Sequence, residues 1–260
     1  MNQHSIVDRP DLHGRDFVLA TDLDGTFLGG SEGDRELLYS WIEDNRRTIG
    51  LIFVTGRDPE FIADICEGTN VPWPDYVIGD VGTTIAEVRD GGSIAPIGAL
   101  EDDIARRWDN KGDAVRAALN GHPGLALQPT PFRYRVSFDL DAAAYHPGAE
   151  QKVSALGLDH LVSDNRFFDV LPKGVSKGPS LKRLVAHLGI EEQRVLAAGD
   201  TLNDLSMLEC GIQAVAVGGA EAALLERVSD LEHVYTASAL GAAGILEAIA
   251  ALNLHPTPKG

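Results

Sequence analysis

Four short polar segments contain the residues of this sequence that are best suited to chemistry. In chain order they are Thr21-Asp22-Leu23-Asp24-Gly25-Thr26, Val54-Thr55-Gly56-Arg57, Ser176-Lys177-Gly178 and Gly199-Asp200-Thr201-Leu202-Asn203-Asp204. Each stands at the end of an apolar run or at the start of a helical one, where an open parallel sheet binds its ligands. Together they supply carboxylates, a hydroxyl and an ammonium, a set suited to Mg²⁺-assisted transfer of a phosphoryl group to Asp22.

The acidic residues of these segments predict a magnesium site. Mg²⁺ prefers hard oxygen ligands, and it can stabilise the negative charge of a transferring phosphoryl group. We expect Asp22, Asp200 and the backbone carbonyl of Asp24 to be ligands, with Asn203 and Asp204 as further or outer ligands.

The same segments predict a division of catalytic work. Asp22 is the expected nucleophile, and Asp24 is expected to protonate the leaving oxygen and later to take a proton from the attacking water. The hydroxyl of Thr55 can donate a hydrogen bond to the phosphoryl oxygens, and Lys177 can place a compact positive charge beside them. Gly56 would let a backbone amide approach the same oxygens closely.

The composition limits the classes of partner. The 260 residues carry a formal net charge of −17, with a hydrophobic share of 44% that is ordinary for a globular protein. Nucleic acids and anionic membranes need a basic face, so neither is an expected partner. Cys66 and Cys210 form no disulfide or metal pattern, which favours a reduced, cytoplasmic setting. No apolar stretch approaches the roughly 18 residues of a membrane span.

Strand and helix patterns alternate in both halves of the chain. Short apolar runs predict buried parallel strands at Phe17–Ala20, Leu51–Val54, Tyr76–Gly79, Val195–Ala198 and Ala214–Val217. Helices are expected at about 34–47, with Asp34 as N-cap, from Pro59 onward, and at 179–188, 205–210, 221–228 and 239–252. This alternation predicts an α/β fold with a Rossmann-like, doubly wound parallel sheet.

The spacing of the segments predicts an inserted domain. Thr55 and Lys177 are 177 − 55 = 122 positions apart, far more than one crossover needs. Alternating residues near 83–88 and 134–138, helices at about 100–119 and 148–156, and short strands near 161 and 168 indicate an α+β unit with an antiparallel sheet. We therefore expect a core of residues 17–83 and 172–260, a cap of 84–171, a loose leader over 1–16 and a loose tail over 254–260.

The four segments, in this order, resemble the motifs of haloacid dehalogenase superfamily phosphohydrolases. The corresponding residues are Asp22 with Asp24, Thr55, Lys177, and Asp200 with Asp204. The large insertion between the second and third motifs resembles the C2B type of cap. This resemblance covers the whole chain and implies a Mg²⁺-dependent phosphatase.

Three further segments resemble the sucrose-phosphate phosphatase group. They are Pro74–Ile78 with Gly82-Thr83, Arg135–Phe138, and Phe168–Pro172 before Lys177. The resemblance implies that the cap closes over the active site and recognises the sugar, with 79–83 and 172–176 as hinge strands. The predicted sugar contacts, or residues that latch the cap, are Arg133, Arg135, Asn165 and Arg166. Arg135 stands where this group is expected to have lysine, which leaves the identity of the sugar open.

The sequence thus predicts hydrolysis of a disaccharide or glycoside phosphate, of the sucrose 6-phosphate or mannosylfructose phosphate type, through an aspartyl phosphate. A glycosyltransferase of the same pathway is a further expected partner. One alternative is a phosphosugar mutase of the phosphomannomutase type, although a mutase is expected to carry more cap arginines. Another is a catalytically silent sugar-phosphate-binding partner of a glycosyltransferase, against which the intact Asp22 and Asp24 argue.

Overall fold

The computed structural model describes residues 11–163 and 165–258. The strands are β1 (Phe17–Thr21), β2 (Ile49–Val54), β3 (Tyr76–Gly79), β4 (Thr84–Val88), β5 (Ile94–Pro96), β6 (Leu125–Leu127), β7 (Val136–Leu140), β8 (Asp159–Ser163), β9 (Phe167–Leu171), β10 (Val195–Gly199), β11 (Ala214–Gly218) and β12 (Val234–Leu240). The helices are α1 (Glu32–Asp44), α2 (Pro59–Gly68), α3 (Gly98–Trp108), α4 (Gly112–Leu119), α5 (Ala149–Ala155), α6 (Lys177–Leu188), α7 (Leu205–Leu208), α8 (Ala222–Val228) and α9 (Gly241–Ala251).

An eight-stranded sheet in the order β12-β11-β10-β1-β2-β3-β4-β5 forms the core. The strands from β12 to β3 are parallel, and β4 and β5 continue the sheet antiparallel. Thr21 of β1 lies opposite Ala198 of β10 and Phe53 of β2. The residues that follow these three strands therefore meet at one edge of the sheet. The predicted doubly wound α/β fold is confirmed.

Apolar layers cover both faces of this sheet, as the continuous apolar runs of the parallel strands require. On one face Phe17 and Leu19 of β1 pack with side chains of α1, α2 and α9. On the other face Val18 and Ala20 pack with side chains of α6, α7 and α8. Every residue of β1 is buried, so the strand that precedes Asp22 is fixed from both sides.

A second, four-stranded antiparallel sheet has the order β6-β7-β9-β8. One of its faces packs against α3, α4 and α5 through a separate apolar cluster that includes Trp108, Val136 and Phe168. The alternation of the strands places Ser137 of β7 and Asp169 of β9, which lie opposite each other, on the other face. This sheet, with its helices, is the α+β unit expected within the insertion.

Strand β4 was expected in the smaller sheet, and this expectation is wrong. Asp80–Gly82 reverses the chain at once after β3, so Ile85 pairs with Ile78 and is buried in the core of the larger sheet. The alternating pattern of 84–88 indicated a strand but not its partner. The domain boundaries at 83/84 and 171/172 remain a prediction, with 84–96 paired to the larger sheet.

Some predicted elements have other bounds. The helix expected at 100–119 is two helices, because Asp109 and Asn110 both adopt φ of 53° and break the first helix. The N-cap of α1 is Ser31 rather than Asp34; Asp34 is instead the third helical residue of a capping box, its backbone N–H donating to Ser31 Oγ. The strands β5, β6 and β12 were not predicted.

The chain ends that the structure describes are packed, in contrast to the predicted loose leader and tail. Leu12 is buried, and Arg15 makes two hydrogen bonds, of 2.8 and 2.9 Å, with the carboxylate of Asp75. The carboxylate of Asp75 offsets the cost of burying the charge of Arg15. At the other end, Trp41 Nε1 donates to the carbonyl of Pro256 at 2.9 Å. Residues 1–10 and 259–260 lie outside the described residues.

Within 11–163 and 165–258, no helix combines the length and apolar character needed to cross a membrane. Cys66 and Cys210 are free cysteines.

Candidate active site

Asp22 follows β1 directly and is held at the edge of the sheet. Its backbone N–H donates to the carbonyl of Ala198 at 2.9 Å, and the chain then makes a wide turn over Leu23–Phe27. Gly25 in this turn has φ of 81°, and a Cβ built on it would lie 2.2 Å from Asp200 Oδ2. Only glycine therefore lets the turn approach Asp200. The next residue, Thr26, donates from Oγ1 to Asp200 Oδ1 at 2.6 Å.

Lys177 donates hydrogen bonds to three other residues of the site. It is fully buried at the start of α6, and its Nζ donates to Asp22 Oδ1 and Asp204 Oδ1, each at 2.6 Å, and to Asn203 Oδ1 at 2.8 Å. The next residue must be glycine, because a Cβ on Gly178 would lie 1.8 Å from the carbonyl oxygen of Ser206 in α7. The Ser-Lys-Gly segment thus packs α6 against α7 and directs the ammonium toward β1.

Both carboxylate oxygens of Asp204 accept hydrogen bonds from neighbouring residues of the site. Its Oδ2 accepts from the backbone N–H groups of Asp200 and Thr201, both at 3.0 Å, while Oδ1 accepts from Lys177. The side chain is fully buried. This arrangement fixes the backbone that carries Asp200, so Asp204 and Asn203 orient their neighbours in addition to being predicted ligands.

The charges of the site do not balance. Asp22, Asp200 and Asp204 each offer a carboxylate oxygen within 4.8 Å of the others, and Lys177 is the cation paired with two of them. Burial raises the pKa of Asp22, a shift that Lys177 opposes and Asp204 enhances. Burial likewise raises the pKa of Asp200 to about 6. Burial alone would lower the pKa of Lys177, but Asp204 and Asp22 raise it, so the ammonium stays charged.

This excess of negative charge fits a divalent cation. Hard oxygen donors are the ligands that Mg²⁺ takes, and a bound cation would relieve the repulsion among the buried carboxylates. Asp22 and Asp200 are the better placed ligands, because both oxygens of Asp204 already accept hydrogen bonds.

Asp24 lies on the solvent side of the site and is paired with Arg57. The guanidinium donates from Nε to Asp24 Oδ2 at 2.9 Å and from Nη2 to Oδ1 at 3.2 Å. The arginine also lies over the ring of Phe61, 4.6 Å from its centroid. About half of each charged side chain remains exposed. Arg57 was not among the predicted site residues, although it ends the Val-Thr-Gly-Arg segment.

Thr55 and Gly56 follow β2, the strand beside β1. Thr55 is buried, and its Oγ1 accepts from the backbone N–H of Arg57 at 3.2 Å, so the hydroxyl hydrogen can still be donated. A Cβ on Gly56 would meet nothing nearer than Val81 Cγ2 at 3.8 Å. The protein itself therefore has room for a side chain at Gly56. The prediction that glycine is needed here depends on a bound ligand that would approach the backbone closely.

The four predicted cap residues lie in different settings. Arg135 is buried and faces the core, where it approaches the carbonyl of Gly56 at 3.5 Å. Arg133 is half-exposed and pairs with Glu101 of α3. Asn165 and Arg166 are exposed in the turn between β8 and β9, and Arg166 lies over the ring of Phe167. The structure thus brings Arg135 to the core motifs and leaves Asn165 exposed in a turn.

Two carboxylates near Arg135, the buried Asp169 and the partly buried Asp80, were not predicted as site residues. Asp169 accepts a short hydrogen bond from Ser137 Oγ, and Asp80 accepts from Thr84 Oγ1 at 2.6 Å. Burial raises the pKa of both carboxyls. Ser137 and Asp169 lie within Arg135–Phe138 and Phe168–Pro172, two of the segments on which the family resemblance of the sequence rests. A polar residue between apolar neighbours in each segment was the available signal.

Comparison with known proteins places this geometry in a family. The profile of the family described as sucrose-6F-phosphate phosphohydrolase matches residues 15–253. Among solved structures, the sucrose-phosphatase of Synechocystis sp. PCC6803, in complex with sucrose and phosphate, is similar with a TM-score of 0.82 and 26% identity. The match covers 92% of this chain and 98% of that one.

Two curated relatives are named for other phosphorylated glycosides. The mannosylfructose-phosphate phosphatase of Agrobacterium fabrum is 29% identical over 250 residues, which cover 92% of this chain and 98% of that protein. The glucosylglycerol-phosphate synthase of Pseudomonas anguilliseptica is 40% identical over 232 residues, which cover 89% of this chain. The matched segment is only 30% of the synthase, so this chain corresponds to less than a third of that protein.

Proposed function

Because this chain belongs to the sucrose-6F-phosphate phosphohydrolase family of the haloacid dehalogenase superfamily, we propose that it hydrolyses the phosphate monoester of a phosphorylated glycoside. The observation that carries this proposal is the cluster of the buried Asp22 and Lys177 with the partly buried Asp200 at the end of the central strand. It combines a carboxylate nucleophile, a permanent positive charge and a second carboxylate in one place.

In the proposed first step, Asp22 attacks phosphorus. Lys177 binds Oδ1, so we assign Oδ2 as the attacking oxygen. A bond forms between Oδ2 and phosphorus while the bond from phosphorus to the glycoside oxygen breaks. Asp24, protonated at this point, gives its proton to the departing oxygen, and the products are an aspartyl phosphate and the free glycoside. The hydroxyl of Thr55 binds a phosphoryl oxygen. The three N–H groups of Lys177 already donate to Asp22, Asn203 and Asp204, so the ammonium stabilises the phosphoryl group through its nearby positive charge.

In the proposed second step, water attacks the same phosphorus atom. A bond forms between the water oxygen and phosphorus while the bond from phosphorus to Asp22 Oδ2 breaks. Asp24, which gave up its proton in the first step, takes a proton from this water. Inorganic phosphate leaves, and both aspartates return to their starting states. Arg57 donates two hydrogen bonds to the carboxylate oxygens of Asp24 and must release them before Asp24 can donate a proton to the departing oxygen.

The proposed cofactor is Mg²⁺, held by Asp22, Asp200 and the backbone carbonyl of Asp24, with Asn203 and Asp204 behind them. When bound, it supplies positive charge that shields the phosphate from the carboxylates and stabilises the charge of the transition state. The unbalanced buried carboxylates support this assignment.

The variant Asp24→Asn tests the role of Asp24. An amide cannot donate or accept the required proton, so we expect kcat to fall by about a hundredfold or more, since general acid–base catalysis contributes factors of this size. With an activated aryl phosphate, whose leaving group needs no proton, we expect a burst of the aryl product followed by slow turnover.

A matched control for this variant is Asp64→Asn, which makes the same chemical change on the exposed side of α2. It should behave as the wild type does. Turnover by Asp24→Asn at the wild-type rate would remove Asp24 from the acid–base role.

The relatives suggest the substrate class. The three proteins are named for sucrose phosphate, mannosylfructose phosphate and glucosylglycerol phosphate. Each of these compounds is a glycoside that carries one phosphate. We propose glucosylglycerol phosphate as the first compound to test, because the synthase is the most similar of the three at 40% identity. A synthase that contains a segment of this family also supports a glycosyltransferase as the source of the substrate.

Phosphate release from a panel of compounds tests the proposed function. The panel contains glucosylglycerol phosphate, sucrose 6-phosphate, mannosylfructose phosphate, trehalose 6-phosphate, glucose 6-phosphate and mannose 1-phosphate, each with Mg²⁺ and after chelation. We expect rapid release from one of the first three and none without the metal. Conversion of mannose 1-phosphate to its 6-phosphate, without release, would favour the mutase. Absence of any reaction in a folded protein that binds Mg²⁺ would favour the silent binding partner.

A further inference from the structure

The backbone carbonyls of the three residues after β2, Thr55, Gly56 and Arg57, are each contacted by an N–H group from another part of the chain. The carbonyl of Thr55 accepts from the backbone N–H of Val81 at 3.1 Å, and that of Arg57 accepts from the backbone N–H of Asp80 at 2.9 Å. The middle carbonyl, that of Gly56, is approached by Nη2 of Arg135 at 3.5 Å. The loop that carries Thr55 is thus held on both sides by the segment after β3 and in the middle by the cap.

Arg135 also links the two unpredicted carboxylates. Its Nη2 lies 3.6 Å from Asp80 Oδ1, and its Nη1 lies 3.5 Å from Asp169 Oδ1. Asp80 belongs to the segment after β3, and Asp169 belongs to the cap sheet. A planar guanidinium can serve several oxygens at once, which a lysine ammonium cannot do with the same geometry.

The contacts of Arg135 are longer than regular hydrogen bonds, which are about 2.9 Å for N–H to oxygen. Arg135 Nε and Asp80 Oδ1 are both buried and have no hydrogen-bond partner among the described residues. Only 7% of the arginine surface is exposed. A buried guanidinium with such incomplete partners is costly, so a small movement of the cap toward the core would improve the two contacts that cross from cap to core, those to Gly56 and Asp80.

The segment that Arg135 approaches is itself unusual. Asp80 and Val81 have φ of 53° and 59°, a left-handed conformation that a β-branched residue such as valine rarely adopts. The two backbone hydrogen bonds to the carbonyls of Thr55 and Arg57 hold this conformation. Any shift of the segment would therefore be transmitted to the loop of Thr55.

We propose that Arg135 is a positioning residue that couples closure of the cap to the phosphate-binding loop at Thr55 and Gly56. This inference rests on the proposed function, and it chooses between the two predicted roles of Arg135. The arginine acts as the latch between cap and core, and its contacts are with the protein. Closure over a substrate tightens the contacts to Gly56 and Asp80 and fixes the hydroxyl of Thr55 against the phosphoryl group.

The two roles predict different kinetics. A residue that only binds sugar affects glycoside phosphates through KM and leaves a small aryl phosphate unchanged. A residue that positions the loop of Thr55 affects every phosphate ester through kcat. We therefore expect Arg135→Met to lower kcat by about tenfold or more for both kinds of substrate, with little change in KM, because the lost interaction acts in the transition state.

The matched control is Arg116→Met. Arg116 lines the same cap cavity of about 260 Å³ as Arg135, but it pairs with Asp113 on the cap. Removal of this charge should leave kcat unchanged. Because the cavity adjoins Arg135, guanidinium ion at millimolar concentration should restore part of the activity of Arg135→Ala and should not affect Arg116→Ala.

Hydrogen exchange gives a readout that does not depend on turnover. In Arg135→Met we expect the backbone amides of Arg57, Asp80 and Val81 to exchange faster than in the wild type and in Arg116→Met. Equal exchange, together with an unchanged kcat for the aryl phosphate, would overturn the proposal. If the wild type released no phosphate from any ester, the proposed function would fail, and the exchange experiment would still decide whether Arg135 holds the loop.

Discussion

Asp22→Asn is expected to abolish turnover while the protein stays folded. An amide is a far poorer nucleophile than a carboxylate, so kcat should fall by at least about a thousandfold. The substitution keeps the size of the side chain, and Lys177 can still donate to the amide oxygen at the position of Oδ1. It also removes one of several crowded negative charges from a site whose burial raises the pKa of Asp22. We therefore expect the free energy of unfolding to be unchanged or slightly higher.

Steady-state phosphate release and urea denaturation, on the same preparations, measure both expectations. Asp64→Asn, exposed on α2, is the control for the loss of one carboxylate. Residual activity above a few per cent of the wild type, after exclusion of deamidation at position 22, would remove Asp22 as the nucleophile. A loss of activity accompanied by unfolding would leave the role to be tested by Asp22→Glu, whose longer side chain misplaces the carboxylate.

Lys177→Met is expected to damage both activity and stability. The ammonium is fully buried and binds Asp22, Asn203 and Asp204, so its removal leaves two buried carboxylates without their cation. Breaking a buried ion pair in this way costs about 3–5 kcal/mol of unfolding free energy. Without a positive charge beside the phosphoryl oxygens, kcat should fall by about a thousandfold, a loss typical of a removed electrostatic group in an active site.

The double variant Lys177→Met with Asp204→Asn separates the two effects. It removes one buried negative charge with the positive one, so it should recover much of the lost stability and none of the activity. The stability loss of Lys177→Met alone should also shrink as the pH falls. Carboxyls with a raised folded pKa bind protons more readily when folded, so acid favours their folded form. Activity of Lys177→Met within about tenfold of the wild type would contradict the placement of Lys177 beside the transferring group.

The core of this protein could be predicted from its sequence because the motif residues directly follow the apolar runs that predict the buried strands. Apolar runs such as Leu51–Val54 are long enough to be buried strands, and each motif follows such a run directly. Parallel strands bring their carboxyl ends to one edge, so Asp22, Thr55 and Asp200 could be placed together before their contacts were known. The position of Lys177 at the same edge follows from the start of α6 there, whereas its hydrogen bonds to Asn203 and Asp204 were not predicted.

The cap and the pairings across it could not be predicted in the same way. Nothing in the alternation of Thr84–Val88 distinguishes pairing with β3 from pairing with a strand of the cap, because both produce a half-exposed strand. Asp109 and Asn110 gave only a weak signal for the division of the helix, because both residue types tolerate a left-handed conformation but also occur inside helices. The pairs formed by Arg57 with Asp24, and by Arg135 with Asp80, join distant residues by tertiary packing that no local pattern encodes.

The central claim is that Asp22 carries the phosphoryl group during turnover. Rapid chemical quenching of the wild type with its best substrate, labelled in the phosphate, followed by peptide mapping, tests it most directly. We predict label on the peptide that contains Asp22, at a level that rises and decays at least as fast as phosphate is released, and none on this peptide in Asp22→Asn. Release of phosphate with no label on the protein at any time, or with label on another residue, would contradict the account.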